Sequence, residues 1–427
     1  MDREQAKQIE RKIERLAQKK KFQDKDVYVF SASEGSRRII RALRGRGLEP
    51  ANVIDNDPAK RHSFWARIRV IALDEILVPS EPKNVFLVYS KFWREILEQL
   101  DSCGVRKENV YCFYGKATFA DRLLEAWKGR GIYRKIVKKY GNIHVFICPY
   151  TGTGDVYLIG TFWKQYIRRN HIHEYAFLVL NGACKKVALL FDISNIEVIG
   201  SEAACTCLMS YYRLCPEEIN MKILNDSWWE IHTNPLQWFR GYKGLGFTEL
   251  FRRFVFELPD EARPEPPMLK DREAELERLF KENRLEEGKT VVLSPYSNTL
   301  SDLPDEFWEA VARRCEEEGY IVCTNSGGGE EPPVAGTIPV FFPLDIAPQF
   351  VSRAGHFIGI RSGFCDVVSA AKAKKVILYD EKNRFFQCSA FEYFSLKRMG
   401  LCNDAVEMQF HNENCMVYVE EIVEACT

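Results

Sequence analysis

The stretch that decides the fold is FIGIRSGFCD at residues 357–366. Its first four residues are apolar and predict a strand that is buried in a parallel sheet. Arg361, Ser362 and Gly363 follow as a turn, and a helix is expected to begin at Gly363. A strand that ends in this way directs a guanidinium group and the free amides of a helix N-terminus to one point, which is what a nucleotide diphosphate requires. The stretch therefore predicts a phosphate site.

Further apolar runs around that stretch predict the rest of a doubly wound sheet. We expect strands at residues 291–293, 321–323, 340–342, 357–360 and 376–378, with helices at 305–317, 344–352 and 363–371. In such sheets, ligands bind beyond the carboxyl ends of the strands. The residues expected at those ends are Ser294, Tyr296, Ser297, Asn298, Asn325, Arg361, Ser362 and Gly363, with Asp366 in the helical turn that follows. These loops are predicted to converge on one polar crevice.

A second α/β unit is predicted to precede this sheet. Residues 143–147 form its first apolar run, PYTGTGD at 149–155 reads as a glycine-rich turn, and 156–168 has the apolar face of a helix. Its later strands are expected at residues 176–180 and 196–199. The first turn ends in Asp155, an acid placed where a parallel sheet binds ligands. This first turn is therefore where we expect the chemistry of the unit.

The N-terminal part of the chain is typical of a smaller Rossmann unit. Residues 27–30 form a buried strand, and the turn that follows at 31–36 reads SASEGS instead of Gly-x-Gly-x-x-Gly, so the dinucleotide fingerprint is degraded. Asp55 ends the next strand, where an acid binds ribose; a non-catalytic docking domain is the other interpretation. Asp55, Asn56 and Asp57 also match the Asp-x-Asp of metal-dependent transferases, although acids after a strand usually form a turn.

Proline content marks a domain boundary. Residues 257–269 contain Pro259, Pro264, Pro266 and Pro267 among acidic residues, a composition that suits a linker. The predicted division is an N-terminal helix at 1–24, a Rossmann-like accessory domain at 25–120, and two α/β domains at 121–262 and 263–427. The predicted fold class is α/β, with two facing Rossmann-like domains preceded by a smaller Rossmann-like domain.

The composition limits which binding partners and which cellular compartment we expect. The 427 residues include 60 basic and 60 acidic side chains, so no overall charge favours nucleic acid. The 14 cysteines are scattered without zinc spacing, which is typical of reduced thiols in the cytoplasm. The N-terminal residues are charged rather than a signal sequence, and no apolar run of about 18 residues occurs. We therefore expect a soluble cytoplasmic protein that does not bind nucleic acid.

Three motifs resemble those of GT-B glycosyltransferases, in particular heptosyltransferase-like and fucosyltransferase-like enzymes. The first is GDV at 154–156, after the opening strand of the first half. The second is LSPYSN at 293–298 followed by LPDEFW at 303–308, a strand, a polar loop and a proline-led aromatic helix. The third is GIRSGFCD at 359–366. The resemblance extends over residues 142–380.

The resemblance implies an activity and a role for each motif. A nucleotide-sugar would donate its sugar to a glycan or lipid-linked acceptor in polysaccharide assembly, with Asp155 as the catalytic base. The donor would be bound by Ser294, Tyr296, Ser297, Asn298, Asn325, Arg361, Ser362, Gly363 and Asp366. Arg361 and helix amides would compensate the charge of the leaving diphosphate, so no metal and no cofactor are expected. Peripheral membrane or assembly-complex association is left open, with Arg252 and Arg253 as the candidate membrane contact.

The chain departs from the heptosyltransferase pattern at the third motif. That group has Asp-Ser/Thr-Gly-x-x-His, whereas this chain has Arg361 at the first of these positions and Asp366 at the last. The basic residue that the family places after its donor strand is not evident in residues 294–300. The resemblance therefore does not identify the donor.

Two other function classes remain open at this point. A non-catalytic nucleotide- or sugar-binding assembly protein would keep the fold and the phosphate turn, and an NAD-dependent nucleotide-sugar-modifying enzyme would use the N-terminal unit. The aromatic segment from Trp228 to Trp238 is either an acceptor platform or core packing. His171, His173 and His356 are expected to be satisfied histidines rather than catalytic ones.

Overall fold

The computed structural model describes residues 3–90, 92–113, 119–216, 220–224, 247–297, 300, 303–326, 331–380, 384–385 and 388–427. The chain divides into two compact units, Met1–Trp127 and Lys128–Thr427. The boundary between the units lies within the helix Phe119–Tyr140.

The first unit is built on a parallel sheet with helices on both faces. Its elements are α1 (Arg3–Gln18), β1 (Asp26–Phe30), α2 (Glu34–Arg44), β2 (Asn52–Ile54), β3 (Phe64–Trp65), β4 (Ile68–Ile71), β5 (Asn84–Val88), α3 (Trp93–Ser102) and β6 (Val110–Cys112). The strand order is β3-β4-β2-β1-β5-β6, and within it β3 alone pairs antiparallel, with β4.

Side chains of successive strand residues in this unit point to opposite faces of the sheet, as in any β-strand. Val27 and Val29 pack in the cluster that includes α1 and α2, whereas Phe30 and Phe86 pack in the cluster that includes α3. Both faces are therefore buried, which is why β1 and β5 are apolar after their first residues, Asp26 and Asn84.

The second unit opens with a smaller parallel sheet. Its elements are α4 (Phe119–Tyr140), β7 (His144–Ile147), α5 (Thr153–Arg169), β8 (Tyr175–Val179), α6 (Gly182–Leu189), β9 (Ile196–Val198), α7 (Glu202–Leu214) and β10 (Met221–Ile223). The described strands lie in the order β10-β7-β8-β9, all parallel. Helix α5 is buried along most of its first ten residues, so it packs as an inner helix rather than a surface one.

The second unit continues into a larger parallel sheet. Its elements are α8 (Phe247–Leu250), α9 (Glu273–Glu282), β11 (Thr290–Ser294), α10 (Asp305–Glu317), β12 (Ile321–Asn325), β13 (Ile338–Val340), α11 (Ala347–Ala354), β14 (Gly355–Ile360), α12 (Gly363–Val367), β15 (Lys374–Asp380), β16 (Arg384–Phe385), β17 (Cys388–Ser389), α13 (Ala390–Phe394), β18 (Val406–Phe410) and α14 (Val419–Cys426). The strand order is β13-β12-β11-β14-β15-β18, all parallel, and β16 and β17 form a separate antiparallel pair.

The two sheets of the second unit face each other through the carboxyl ends of their strands. Helix α5 begins after β7, helix α12 begins after β14, and the first turns of these two helices are in contact. The hydroxyl oxygens of Tyr157 on α5 and Ser369 after α12 lie 3.1 Å apart in a buried hydrogen bond. One apolar core contains side chains from both sheets. The predicted α/β class, with two facing Rossmann-like halves preceded by a smaller Rossmann-like unit, is confirmed.

Most predicted elements are present with shifted ends, and several features differ. The strand expected at 340–342 lies at Ile338–Val340. Strand β18, an edge strand of mixed polarity, was not predicted, because residues that are buried on one side only lack a continuous apolar run.

Close packing of α4 against α7 generates a stability prediction. A Cβ atom added at Gly129 would lie 2.0 Å from the carbonyl oxygen of Cys207 and 2.9 Å from Cβ of Tyr211. Gly129→Ala should therefore push the helices apart and lower the free energy of unfolding by about 1 to 3 kcal/mol. Thermal unfolding of the variant would measure this loss.

Gly131 is the matched control on the same helix. No atom lies within 4 Å of a Cβ added there, so Gly131→Ala should be neutral or stabilising by about 0.5 to 1 kcal/mol. Equal effects of the two substitutions would contradict the packing of α4 on α7.

Candidate functional site

Asp155 lies in the first turn of α5, at the carboxyl end of β7. Its side chain is partly exposed at the bottom of the junction between the two sheets. Burial raises the pKa of Asp155 to about 7, and the negative charge of Asp366 contributes in the same direction. Near neutral pH this carboxyl group can therefore both accept and release a proton, which is the property that a general base needs.

Asp366 and Arg361 form a buried ion pair beside Asp155. Nη2 of Arg361 donates to Oδ1 of Asp366 at 2.7 Å, and the two residues are 4% and 3% exposed. Burial raises the pKa of Asp366 to about 6, while Arg361 opposes that rise. Removing one member of such a pair leaves an uncompensated charge, which typically costs about 3 to 5 kcal/mol.

The remaining donors of Arg361 that the structure defines point into the protein. Nε donates to the carbonyl oxygen of Phe394 at 2.8 Å, and Nη1 donates to the carbonyl oxygen of Ser362. The guanidinium also lies over the Phe394 ring, 5.6 Å from its centroid. The sequence predicts that Arg361 binds a diphosphate; the structure places it in an internal network, and its contact with phosphate stays a prediction.

The contact between α5 and α12 depends on two glycines. A Cβ atom added at Gly154 would lie 2.4 Å from Oδ2 of Asp366, and one added at Gly363 would lie 2.7 Å from the backbone nitrogen of Gly154. Oδ2 of Asp366 therefore rests against the first turn of α5, next to Asp155. The sequence suggests that Gly154 forms a tight turn. The structure shows instead that a glycine is required there because the two halves approach closely.

The other predicted donor residues lie at the carboxyl ends of β11, β12 and β14. Ser294 is 5% exposed at the end of β11, and Asn325 is partly exposed at the end of β12. Oγ of Ser297 donates to the carbonyl oxygen of Arg361 at 2.9 Å, so the loop after β11 is attached to the loop after β14. The hydroxyl of Tyr296 donates to the carbonyl oxygen of Pro332.

The structure thus brings the predicted residues of β11, β12 and β14 to one edge of the larger sheet. Ser362 precedes α12, and its hydroxyl lies 3.9 Å from Sγ of Cys365. Asn298 lies outside the described residues. Their roles in donor binding stay predictions.

Sequence reasoning missed a second layer of residues behind Arg361. The hydroxyl of Tyr379 donates to the Phe394 carbonyl oxygen at 3.2 Å and also to Glu407. Glu407 accepts from Oγ of Ser395 at 2.6 Å and from the backbone nitrogen of Leu396 at 2.7 Å. The only sequence signal for this layer is an acidic residue inside a strand that was itself not predicted.

In the first unit, the turn after β1 is satisfied by the protein's own groups. Oδ2 of Asp55 accepts from the backbone nitrogen of Ala32 at 2.7 Å and pairs with Nζ of Lys60 at 3.2 Å. Ser33 and Ser36 form a reciprocal capping box at the start of α2. Asp55, the candidate ribose ligand, therefore binds the turn on which a pyrophosphate would rest.

Tyr89 also covers this turn. A Cβ atom added at Gly35 would lie 2.0 Å from Cε1 of Tyr89, so the ring rests on the backbone of the turn. A dinucleotide phosphate would need that same approach to the backbone. The described residues of this turn do not fit NAD in its usual position.

Several other candidates do not lie at the junction. His356 is buried at the amino end of β14, with Nδ1 2.6 Å from the carbonyl oxygen of Cys426. His171 and His173 are exposed. Arg252 is 2% exposed and paired with acidic side chains, so it does not present its charge to a membrane. The aromatic segment 228–238 lies outside the described residues.

The described residues show neither a membrane-spanning helix nor a disulfide bond. No helix among them is both long and apolar enough to cross a bilayer, and the cysteines described are free thiols. In the same part of the chain, no three His, Cys, Asp or Glu side chains are grouped as metal ligands.

Comparison with known proteins finds similarity in structure and not in sequence. No protein-family model matches the chain, and no curated protein matches it. Similar solved structures include E. coli ADP-heptose LPS heptosyltransferase II, at 13% identity with a TM-score of 0.44, covering 66% of this chain and 99% of that one.

A glycosyl transferase family 9 protein of Veillonella parvula is also similar, at 13% identity with a TM-score of 0.43, covering 66% of this chain and 97% of that one. E. coli heptosyltransferase WaaC with ADP-2-deoxy-2-fluoro heptose has 10% identity and a TM-score of 0.37, over 65% and 99% of the two chains. At such identities and scores, the functional argument depends on this chain's own site.

The raised pKa of Asp155 predicts how stability depends on pH. Because the folded-state pKa of about 7 exceeds the usual 3.8, folding favours the protonated form, and the resulting stabilisation is lost as pH rises through about 7. Asp155→Asn cannot ionise, so its melting temperature relative to wild type should rise between pH 4 and pH 8. We expect a change of roughly 2 kcal/mol or more, since one pKa unit is about 1.4 kcal/mol.

Thermal melts of both proteins across this pH range would measure the effect. Glu174→Gln is the matched control, because it removes an exposed acid of the same unit away from the junction. If the melting temperatures of Asp155→Asn and wild type differed by the same amount at every pH, the pKa of Asp155 would not be raised in the folded protein.

Proposed function

We propose that this protein is a GT-B glycosyltransferase that transfers a sugar from a nucleotide-sugar to an acceptor hydroxyl. The observation that carries the proposal is Asp155, an acid with a pKa of about 7 at the junction where the carboxyl ends of two parallel sheets meet. Such a junction is where doubly wound folds bind ligands, and a base poised near neutral pH is what acceptor activation needs.

The proposed step follows from the position of Asp155. As the acceptor oxygen attacks the anomeric carbon, its O–H bond breaks and the proton passes to the Asp155 carboxylate. The bond between the anomeric carbon and the diphosphate oxygen breaks at the same centre, and the nucleoside diphosphate leaves with the electron pair. No redox partner is required, because the sugar changes only its oxygen substituent.

The donor is proposed to bind at the carboxyl ends of β11, β12 and β14. Ser294, Tyr296, Ser297 and Asn325 supply hydroxyl and amide groups there, and Asn298 extends the same loop in sequence. The backbone after Arg361 supplies amides at the start of α12. Neutral donors of this kind fix the orientation of a phosphate or a ribose, and they act strongly in a site from which water is excluded.

The finer identity of the reaction is also a proposal. We propose a glycan or lipid-linked acceptor, a role in surface polysaccharide assembly, no requirement for a divalent metal or a cofactor, and a cytoplasmic location. The internal pairing of Arg252 gives no support to that residue as a membrane contact. A peripheral attachment would have to use other surfaces.

The two alternative functions are less well supported. An NAD-dependent enzyme would need the turn after β1, whose amide and glycine are occupied by Asp55 and Tyr89. A non-catalytic assembly protein would have no use for an acid that remains protonated near neutral pH at a sheet junction. The transferase is therefore the function that this geometry supports best.

A ligand screen tests the proposed function. Thermal shifts of the full chain would be measured with UDP, GDP, CDP, ADP, CMP and NAD, each with and without magnesium. We expect one nucleoside diphosphate at about 100 times its Kd to stabilise the protein by roughly 2.7 kcal/mol. Stabilisation by NAD alone would contradict the proposal.

The base role of Asp155 is tested by Asp155→Asn with the donor found in that screen. We expect turnover to fall by about 100-fold or more while the Kd of the nucleotide stays within about threefold, because a general base acts in the transition state. Glu174→Gln is the matched control, because it neutralises an exposed acid that precedes β8 at the opposite end of the sheet, and it should keep turnover. Full turnover by Asp155→Asn would remove Asp155 from the mechanism.

A further inference from the structure

We propose that Asp366 and Arg361 are positioning residues for Asp155, and that Arg361 serves as the counterion of Asp366 rather than as the ligand of the donor diphosphate. This inference deepens the proposed function and rests on it for the role of Asp155. The two charged residues of the third motif would thus act on Asp155, which lies on the opposite half of the unit.

The first supporting observation is the contact of Asp366 with α5 across the junction. Oδ2 of Asp366 lies where a side chain at Gly154 would begin, so the carboxylate faces the turn that presents Asp155. Oδ1 of the same group is held by Arg361 at 2.7 Å. The carboxylate therefore has one oxygen toward its counterion and one toward α5, a placement that fixes its charge beside Asp155.

The second supporting observation is that Arg361 is enclosed by the protein. Its Nε and Nη1 donate to main-chain carbonyl oxygens of Phe394 and Ser362, and its guanidinium plane lies over the Phe394 ring. The Phe394 carbonyl is held in turn by Tyr379. A guanidinium that is 4% exposed and bonded through all three nitrogens is a fixed internal charge.

Glu407 explains why this enclosure is rigid. Its carboxylate accepts from Tyr379, from Oγ of Ser395 and from the backbone nitrogen of Leu396. The segment that follows α13 is thereby fastened to β15 and β18. Because Phe394 is the last residue of α13 and directly precedes this segment, Glu407 also restrains the carbonyl oxygen to which Arg361 donates.

The titratable groups near Asp155 come from both halves. Cys148 at the end of β7 and Cys184 on α6 also lie near it, but burial raises the pKa of Cys184 to about 11 and that of Cys148 well above its usual value. Both thiols are neutral near pH 7. Asp366 and Arg361 are therefore the charged groups that act on Asp155, with opposite signs.

The pattern of the third motif fits this assignment. The heptosyltransferase pattern has an acid at the first position and a histidine at the sixth, whereas this chain has Arg361 and Asp366 there. The structure shows that the two positions pair with each other. In this chain the two motif positions therefore form one ion pair, with its acid against α5.

The test is a direct titration of Asp155. Protein labelled with 13C at the aspartate carboxyl group would be titrated by NMR from pH 5 to pH 9, with the Asp155 signal assigned by its absence in Asp155→Asn. Asp366→Asn should move the Asp155 midpoint down by about one pH unit or more, and Arg361→Gln should move it up. Opposite shifts are the signature of the pair, since a general loss of structure would not separate the two variants.

A double variant covers the case in which a single variant does not fold. Arg361→Gln with Asp366→Asn keeps a neutral hydrogen-bonded pair, and its Asp155 midpoint should lie below wild type, because Asp366 acts on Asp155 more strongly than Arg361 does. Arg314→Gln with Glu420→Gln is the matched control, which removes an exposed pair of the same half. Equal midpoints in all these proteins would overturn the proposal.

Donor affinity separates this inference from the diphosphate role of Arg361. For the nucleoside diphosphate found in the ligand screen, Arg361→Gln should change Kd by no more than about threefold. A diphosphate ligand would instead lose roughly 10- to 150-fold in affinity, the equivalent of about 1.5 to 3 kcal/mol. The NMR titration needs no substrate, so failure of the proposed transfer reaction would leave this inference decidable.

Discussion

The buried ion pair between Arg361 and Asp366 is the interaction on which the site of the second unit depends. Two charges with 4% and 3% exposure are tolerated because each compensates the other and main-chain carbonyls accept from Nε and Nη1 of Arg361. The pair stands at the contact between α5 and α12. Its burial places a carboxylate against the turn that carries Asp155, and so it ties the electrostatics of one half to the chemistry of the other.

Close backbone approach makes this arrangement possible. Gly154 and Gly363 allow two helix N-termini to meet at a distance that no side chain would permit. Both first turns carry an acid, which is favourable at each helix end taken separately. Bringing the two ends together crowds two carboxyl groups around one guanidinium, and burial then raises the pKa of both acids. An acid with a pKa of about 7 thus arises from ordinary packing constraints.

Much of this fold could be predicted from the sequence because its strands are buried on both faces. Residues 291–293 and 357–360 are continuous apolar runs, and the helix at 305–317 has the bounds that its pattern predicts. The edge strands β10 and β18 were missed, since Lys222 interrupts the first and Glu407 and Gln409 interrupt the second. Long-range contacts escape sequence reasoning for a different reason. Nothing local to Arg361 indicates that its partners include the carbonyl of Phe394.

In the first unit, the sequence pattern suggests a binding site that the structure does not leave open. Its strand, turn and helix follow the Rossmann pattern, yet Tyr89 and Asp55 occupy the place of a cofactor's phosphates. A fold can keep its topology after the ligand's space has been filled by side chains. The chemistry is therefore sought in the second unit, where the polar strand ends and the junction with Asp155 coincide.

The most direct measurement is a crystal structure of the full chain with the nucleoside diphosphate that stabilises it most. If the second unit is a nucleotide-sugar transferase, the nucleotide will lie at the carboxyl ends of β11, β12 and β14, with its phosphates directed toward the junction and Asp155 left free to meet an acceptor. Density for the nucleotide in the first unit, or at the amino ends of those strands, would contradict the proposed function.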